Sequence, residues 1–244
     1  MSGMVLTSCA THHYQVSEIT HNRILIDERY DNVTDAKAEA FIAPYKVTVD
    51  SIMSPVVGRS AQYLFADRPE SNLSNLLCDI LVWAGGRYGE KPEFAIYNIG
   101  GMRAGISEGE VTYGNVLEVA PFENKICFFD MKGKDVKRLF EQIAFNRGEG
   151  VSHGINLVIT KDGKLVSAKI NGEDVDDAKE YRIASIDYLA QGNDGMTALK
   201  EKTNVNSPTE ESNNIRYIIM DYFREQAAQG KAVEATVEGR IIEK

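Results

Sequence analysis

Tyr97-Asn98-Ile99-Gly100-Gly101-Met102-Arg103 follows the apolar run Phe94-Ala95-Ile96, and this junction decides how the chain is read. Phe94 to Tyr97 has the aromatic and β-branched content of a buried strand. The strand ends at Asn98. The two glycines that follow free the backbone to turn and remove two Cβ atoms, so a ligand can approach main-chain N–H groups. Arg103 then presents a planar fork of donors matched to a phosphate or carboxylate. Alone, Gly-Gly-x-Arg describes a glycine turn with a solvated arginine. Its weight comes from what surrounds it.

Downstream, Thr112 to Val119 reads as a short helix that delivers the chain to Pro121-Phe122. Lys125 to Asp130 is a strand, and Gly133-Lys134 opens a helix with Val136, Leu139, Phe140, Ile143 and Ala144 on its apolar face, closed by Gly148 and Gly150. Two strands, 155–159 and 165–170, are joined by the hairpin signal Asp162-Gly163. Tyr181 to Ser185 is a further strand leading into Asp187-Tyr188. Ser207-Pro208-Thr209-Glu210 has the form of a capping box, predicting a helix that buries Ile215, Ile218, Ile219, Tyr222 and Phe223 and stops at Gly230. Val237 to Ile242 is the last expected strand.

Upstream, Ser71-Asn72 caps a helix whose Leu73, Leu76, Leu77, Ile80 and Leu81 share one face, with Gly85-Gly86 as its stop. Val56-Val57-Gly58 and Tyr63-Leu64-Phe65 are strand pieces. Thr34-Asp35 starts a helix with Ile42, Tyr45, Val49, Ile52 and Met53 on one face, which Pro44 should kink or divide. Polar–apolar alternation over Tyr14–Ile19 and Ile24–Ile26 suggests a short hairpin or edge strand. Strands and helices without regular βαβ alternation predict an α+β fold of mixed β-sheets with packed helices. We divide the chain into an N-terminal tail, 1–32, and one domain, 33–244.

The chain of 244 residues is 43% hydrophobic and 26% charged, ordinary for a globular protein. A formal net charge of −9 argues against binding a nucleic acid polymer, whereas a small anionic ligand needs only one or two local arginines. The three cysteines, Cys9, Cys78 and Cys127, have no metal-ligand spacing. Cys78 and Cys127 lie in apolar runs and read as buried thiols, with a disulfide between them left open. Met4-Val5-Leu6-Thr7-Ser8-Cys9 looks like the end of a bacterial lipoprotein signal, with Cys9 as the lipidated residue. It predicts an extracytoplasmic location, periplasmic or at the outer membrane, on a lipid anchor; the alternative is an ordinary tail.

Asn98-x-Gly-Gly-x-Arg103, Asn115-Val116-Leu117…Pro121-Phe122, Gly133-Lys134 and Asp187-Tyr188-Leu189-Ala190-x-Gly192-x-Asp194-Gly195 occur in this order. Together the series resembles the C-terminal, substrate-binding domain of the 5′-nucleotidase family, over the chain from about Val33 onward. The resemblance implies that Phe122 and Tyr188 sandwich a nucleotide base, that Asp194 accepts from the ribose hydroxyls, and that Asn98, Gly101 and Arg103 hold the far end of the ligand, Arg103 on the phosphate. Arg68, in Arg68-Pro69-Glu70-Ser71-Asn72-Leu73, stands near the family's phosphate-binding arginine; read without the family it is a loop arginine paired with Glu70. Ile99 and Asn193 stand where the family usually has glycine.

Family members hydrolyse phosphate esters with a two-metal centre on a separate N-terminal domain. Its Asp-x-His and Asn-His-(Glu/Asp) signatures do not occur in these residues, and the four histidines, His12, His13, His21 and His153, sit in no such motif. The expectation is a nucleotide-binding half with no cofactor of its own, inactive alone, whose metallophosphatase domain with its divalent metals resides on a partner chain. The competing readings are a surface lipoprotein that captures nucleosides or nucleotides without hydrolysis, and a relic domain with a structural role.

Overall fold

The computed structural model describes residues 15–30 and 34–244, so Cys9 and its lipobox lie outside the described residues. The chain divides into two compact units, Met1–Lys46 and Val47–Lys244, a later division than the one expected at residue 33. No described residue of the first unit is buried. The hairpin expected over 14–26 is absent among the described residues there, because Val16, Ile19, Ile24 and Ile26 all face solvent and the alternation has nothing to bury against. Helix α1, Ala36–Met53, begins where Thr34-Asp35 predicts, with the Asp35 carboxylate accepting from the N–H groups of Lys37 and Ala38. It runs through Pro44 undivided, since one missing hydrogen bond does not end a helix.

In the second unit the elements are β1 Val56–Ser60, α2 Asn72–Ala84, β2 Phe94–Tyr97, β3 Gly109–Thr112, α3 Tyr113–Val119, β4 Ile126–Lys132, α4 Gly133–Phe145, β5 Gly150–Val151, β6 Ile155–Ile159, β7 Leu165–Ile170, β8 Glu173–Asp174, β9 Glu180–Ile186, α5 Asp187–Ala190, β10 Thr203–Asn206, α6 Ile215–Ala228 and β11 Ile241–Glu243. They form the expected α+β fold with a mixed five-stranded sheet in the order β10-β4-β9-β2-β5, a four-stranded sheet β11-β6-β7-β8, and the pair β1-β3. In the large sheet β2 runs parallel to β9, with Phe94 opposite Ile183, while β4 is antiparallel to β9 and β5 antiparallel to β2. All four β2 residues are buried, as a central strand requires. Helix α2 packs on β2 and β5, and α4 on β4 and β9, where Phe140 meets Phe94 with ring centroids 5.7 Å apart.

Ser71 caps α2 in a reciprocal box with Ser74, and Leu73, Leu76, Leu77, Ile80 and Leu81 are buried as their spacing predicts. Gly85-Gly86 does not stop the chain's right-handed course: Gly85 keeps helical angles, and a 3-10 turn runs on until Gly89, at φ 69°, reverses it. The helix expected from the 207–210 capping box instead starts at Ile215, because the Asn214 side chain takes the cap by accepting from the Arg216 N–H. Tyr63–Phe65 forms no strand, only a bridge from Leu64 to Ile106. The final strand is shorter than expected, since Gly239 at φ 79° breaks the extended run and turns Arg240 inward. Cys78 and Cys127 are buried and unbonded, and burial pushes the Cys127 thiol up to about 12.

Arg240 is 3% exposed. Its guanidinium grips both oxygens of Asp79 on α2, donates to Glu238, and also donates to the carbonyl of Val151 on β5. It therefore fastens the C-terminal strand to α2 and the sheet edge. Replacing it, Arg240→Met, strands a buried carbonyl and leaves two carboxylates without their partner. The expected loss is about 2–4 kcal/mol of stability, read as a lowered urea midpoint with an unchanged slope.

Candidate functional site

The register of the large sheet brings four chain segments to one edge. β2 and β9 run parallel, so the residues after Tyr97 and after Ile186 leave on the same side. The antiparallel pairings of Ile126 with Ile186 and of Gly150 with Tyr97 put the residues before β4 and before β5 there as well. A cleft of about 470 Å³ opens at this edge, lined by Asn98, Gly100, Gly101, Phe122, Asn124, Tyr188 and Asp194. Five of the expected site residues, Asn98, Gly101, Phe122, Tyr188 and Asp194, are thus brought together from distant parts of the sequence.

Gly101 must be glycine, because a Cβ there would come 2.8 Å from Asn98 Oδ1 and 3.0 Å from the Tyr97 ring. Asn98 is buried and its Nδ2 donates to Asp194 Oδ2 at 2.6 Å, while its Oδ1 has no partner among the described residues. A buried acceptor left unpaired costs free energy unless a ligand donor meets it. Asp194 sits at φ 52° between Gly192 and Gly195, both also left-handed, a conformation that aspartate tolerates. Its Oδ1 accepts from the Tyr188 hydroxyl at 2.8 Å, a bond that holds the phenol proton more tightly than usual. Asn193, in the same loop, donates to the Tyr188 carbonyl. Carboxylate and ring are therefore held as one unit.

Tyr188 and Phe122 remain 37% and 48% exposed, large rings on the cleft wall rather than in the core. The segment bearing Phe122 is fixed at both ends: Lys125 and Asp187 exchange hydrogen bonds, the Asn124 carbonyl accepts from the Ile215 N–H, and Arg216 donates to the Pro121 carbonyl. Asn124 was not singled out from the sequence as a site residue.

The two arginines are placed differently. Arg103 is exposed, and its Nη1 donates to the Gly100 carbonyl at 3.2 Å, at the rim and outside the lining. Arg68 pairs not with Glu70 but with Glu149, Nη2 to Oε1 at 2.6 Å, and its Nε donates to the Gly148 carbonyl. Glu70 is taken instead by Asn75 and by the N–H groups of Glu238 and Ile241. Glu149 carried no signal in the sequence, being one acid between two glycines, yet it is 2% exposed and its Oε2 accepts from the Ile99 N–H at 2.6 Å. Burial raises its pKa above the ordinary glutamate value against the lowering pull of the Ile99 N–H and Arg68. Among the described residues, no group of three His, Cys, Asp or Glu side chains is arranged to hold a metal ion.

The family described as "5'-nucleotidase, C-terminal domain" matches residues 56–201. The chain is 30% identical over 240 residues to the trifunctional nucleotide phosphoesterase protein YfkN of Bacillus subtilis, which covers 89% of this chain and 16% of that protein. Protein UshA of Escherichia coli is 30% identical over 167 residues, covering 67% of this chain and 30% of its own. Among solved structures, a 5'-nucleotidase precursor from Thermus thermophilus superposes with a TM-score of 0.73 at 30% identity, over 85% of this chain and 43% of that one. The chain thus spans less than half the length of each of these relatives.

The raised affinity of Glu149 for its proton sets a pH signature. Its contribution to stability is fully present below the ordinary glutamate range and is lost as pH rises through the raised value. The stability of the native chain minus that of Glu149→Gln should therefore shrink as pH rises from the ordinary glutamate range through the raised value, measured by paired denaturant titrations. A difference that grows with pH would show the carboxylate to be stabilised as the ion instead.

Proposed function

This chain belongs to the 5′-nucleotidase family, through its C-terminal domain, and on that premise we propose that the cleft binds a nucleoside or nucleotide as the substrate-holding half of a phosphohydrolase. The observation that carries the reading is the joining, in one cleft, of two exposed aromatic rings with a carboxylate and an unpartnered amide oxygen. Every base has a π face, so Phe122 and Tyr188 supply stacking worth about 1–3 kcal/mol per base with little regard to which base it is. The acceptors on Asp194 and Asn98 suit the hydroxyls of a ribose or the N–H of a base. Arg103 at the rim is the cation nearest to hand for a phosphate. The relatives named for nucleotide phosphoesterase and 5′-nucleotidase activity support this substrate class.

We assign the hydrolytic step to a metallophosphatase domain outside these 244 residues. When bound there, a pair of divalent metals activates water and neutralises the phosphoryl oxygens. What the present residues contribute is position: they fix the nucleoside so that its phosphate projects toward that centre. Met4 to Cys9 supports an extracytoplasmic setting on a lipid anchor. Lipid labelling that Cys9→Ala abolishes is the expected result; labelling that survives the substitution removes the anchor.

Calorimetry with adenosine and AMP tests the cleft. Tyr188→Ala should weaken binding about ten- to hundredfold while moving the melting temperature little, because the ring is 37% exposed. A large fall in melting temperature with unchanged affinity would return Tyr188 to the core and remove the base-stacking role. Mixing the chain with a candidate metallophosphatase partner should raise phosphate release from AMP. A partner whose rate is unmoved by the chain would leave the cleft as a site of capture alone.

A further inference from the structure

Two arginines and two carboxylates are disposed about the Gly100-Gly101 turn, and of the two cations one is held by an acid. Arg103 is exposed and donates to the Gly100 carbonyl. Arg68 is bound to Glu149 through Nη2 and to the Gly148 carbonyl through Nε. Glu149 is buried, and its second oxygen accepts from the N–H of Ile99, the residue between the lining positions Asn98 and Gly100. Asn146 completes its shell at 3.2 Å, and Asp194 is the other charge that acts on it. Asp194 is also the only charged residue in the lining.

We propose that Glu149 is the residue that sets the charge preference of the cleft: by holding Arg68 it withholds a cation from the ligand's phosphate, so that these residues take a nucleoside at least as readily as its monophosphate. The inference rests on the nucleotide reading of the cleft and adds a selectivity to it. The physical ground is the short separation of the pair. Charges 2.6 Å apart act on a more distant phosphate as a dipole whose two ends nearly cancel. Remove the negative end, and the guanidinium, two hydrogen bonds from the backbone of the glycine turn, acts as a full charge on any bound anion. At separations near ~8 Å and an intermediate dielectric this amounts to a factor of about three to ten in affinity for the anion. With Arg68 engaged by Glu149, the cation left exposed at the rim is Arg103.

Isothermal titration of adenosine and of AMP, without added metal and at about 0.05 M salt to limit screening, reads the preference as the ratio of the two affinities. Four proteins are compared: the native chain, Glu149→Gln, Arg68→Met and the double variant. Glutamine can still accept from the Ile99 N–H, so the turn keeps its anchor. We expect the ratio of AMP to adenosine affinity to rise about three- to tenfold in Glu149→Gln, to fall in Arg68→Met, where Glu149 is left unbalanced, and to return to the native value in the double variant. A pair with a structural role alone weakens both ligands together and leaves the ratio where it was, which overturns the proposal. So does a ratio that moves the same way in both single variants. Should Glu149→Gln fail to fold, the Arg68→Met arm decides: a ratio that does not fall overturns the proposal. If the native chain binds neither ligand, the nucleotide reading of the cleft itself falls, and that result is distinct from binding with an unmoved ratio.

Discussion

The carboxylate of Glu149 is the constraint on which the site hangs. Burying a charge is costly unless its lone pairs are met, and here they are met from three separate parts of the chain. Arg68 comes from the loop before α2, Asn146 from the end of α4, and the Ile99 N–H from the turn after β2. The same Asn146 amide donates to the Asp194 carbonyl at 2.9 Å. The glycine turn on one wall and the Asp194 loop on the other are thereby referred to a single buried acid.

Around that anchor, sheet register does the gathering. Ligand sites at the carboxyl ends of parallel strands are common because adjacent strands release their loops side by side there. β2 and β9 follow that rule, and the antiparallel β4 and β5 add the segments that enter at the same edge. The residues before β4 divide between two surfaces. Phe122 and Asn124 line the cleft, while Glu123 and Lys125 line a separate polar depression with Arg216 and Tyr217.

Much of this was legible in the sequence, and the failures have physical causes. Helices with strong periodicity, α2 and α4, sit where their leucines and phenylalanines predict. The aromatic and acidic residues of the cleft were readable because their ordered motifs resemble a family, whereas Glu149 was not, since burial of a lone acid between glycines leaves no trace in local pattern. Helix ends were misjudged where two caps compete: Asn214 prevails over Ser207 because its side chain reaches the Arg216 N–H. The alternative reading that paired Arg68 with Glu70 rested on proximity in sequence, while the folded chain gave Glu70 to Asn75 and the C-terminal segment. The alternation before residue 27 failed for want of any partner surface among the described residues.

The pairing of Asn98 with Asp194 joins residues 96 positions apart. Closing so long a loop carries an entropic penalty that local contacts do not, and parallel pairing such as that of β2 with β9 cannot begin until the intervening chain exists. During synthesis the glycine turn therefore emerges long before the loop that completes it. A ribosome-bound chain that has not reached Asp194 has half a cleft, with the Asn98 amide still waiting for its partner. The cleft is completed late and at once, when β9 docks beside β2, so on the proposed binding role a ligand would act as a clamp on finished topology rather than as a template for it.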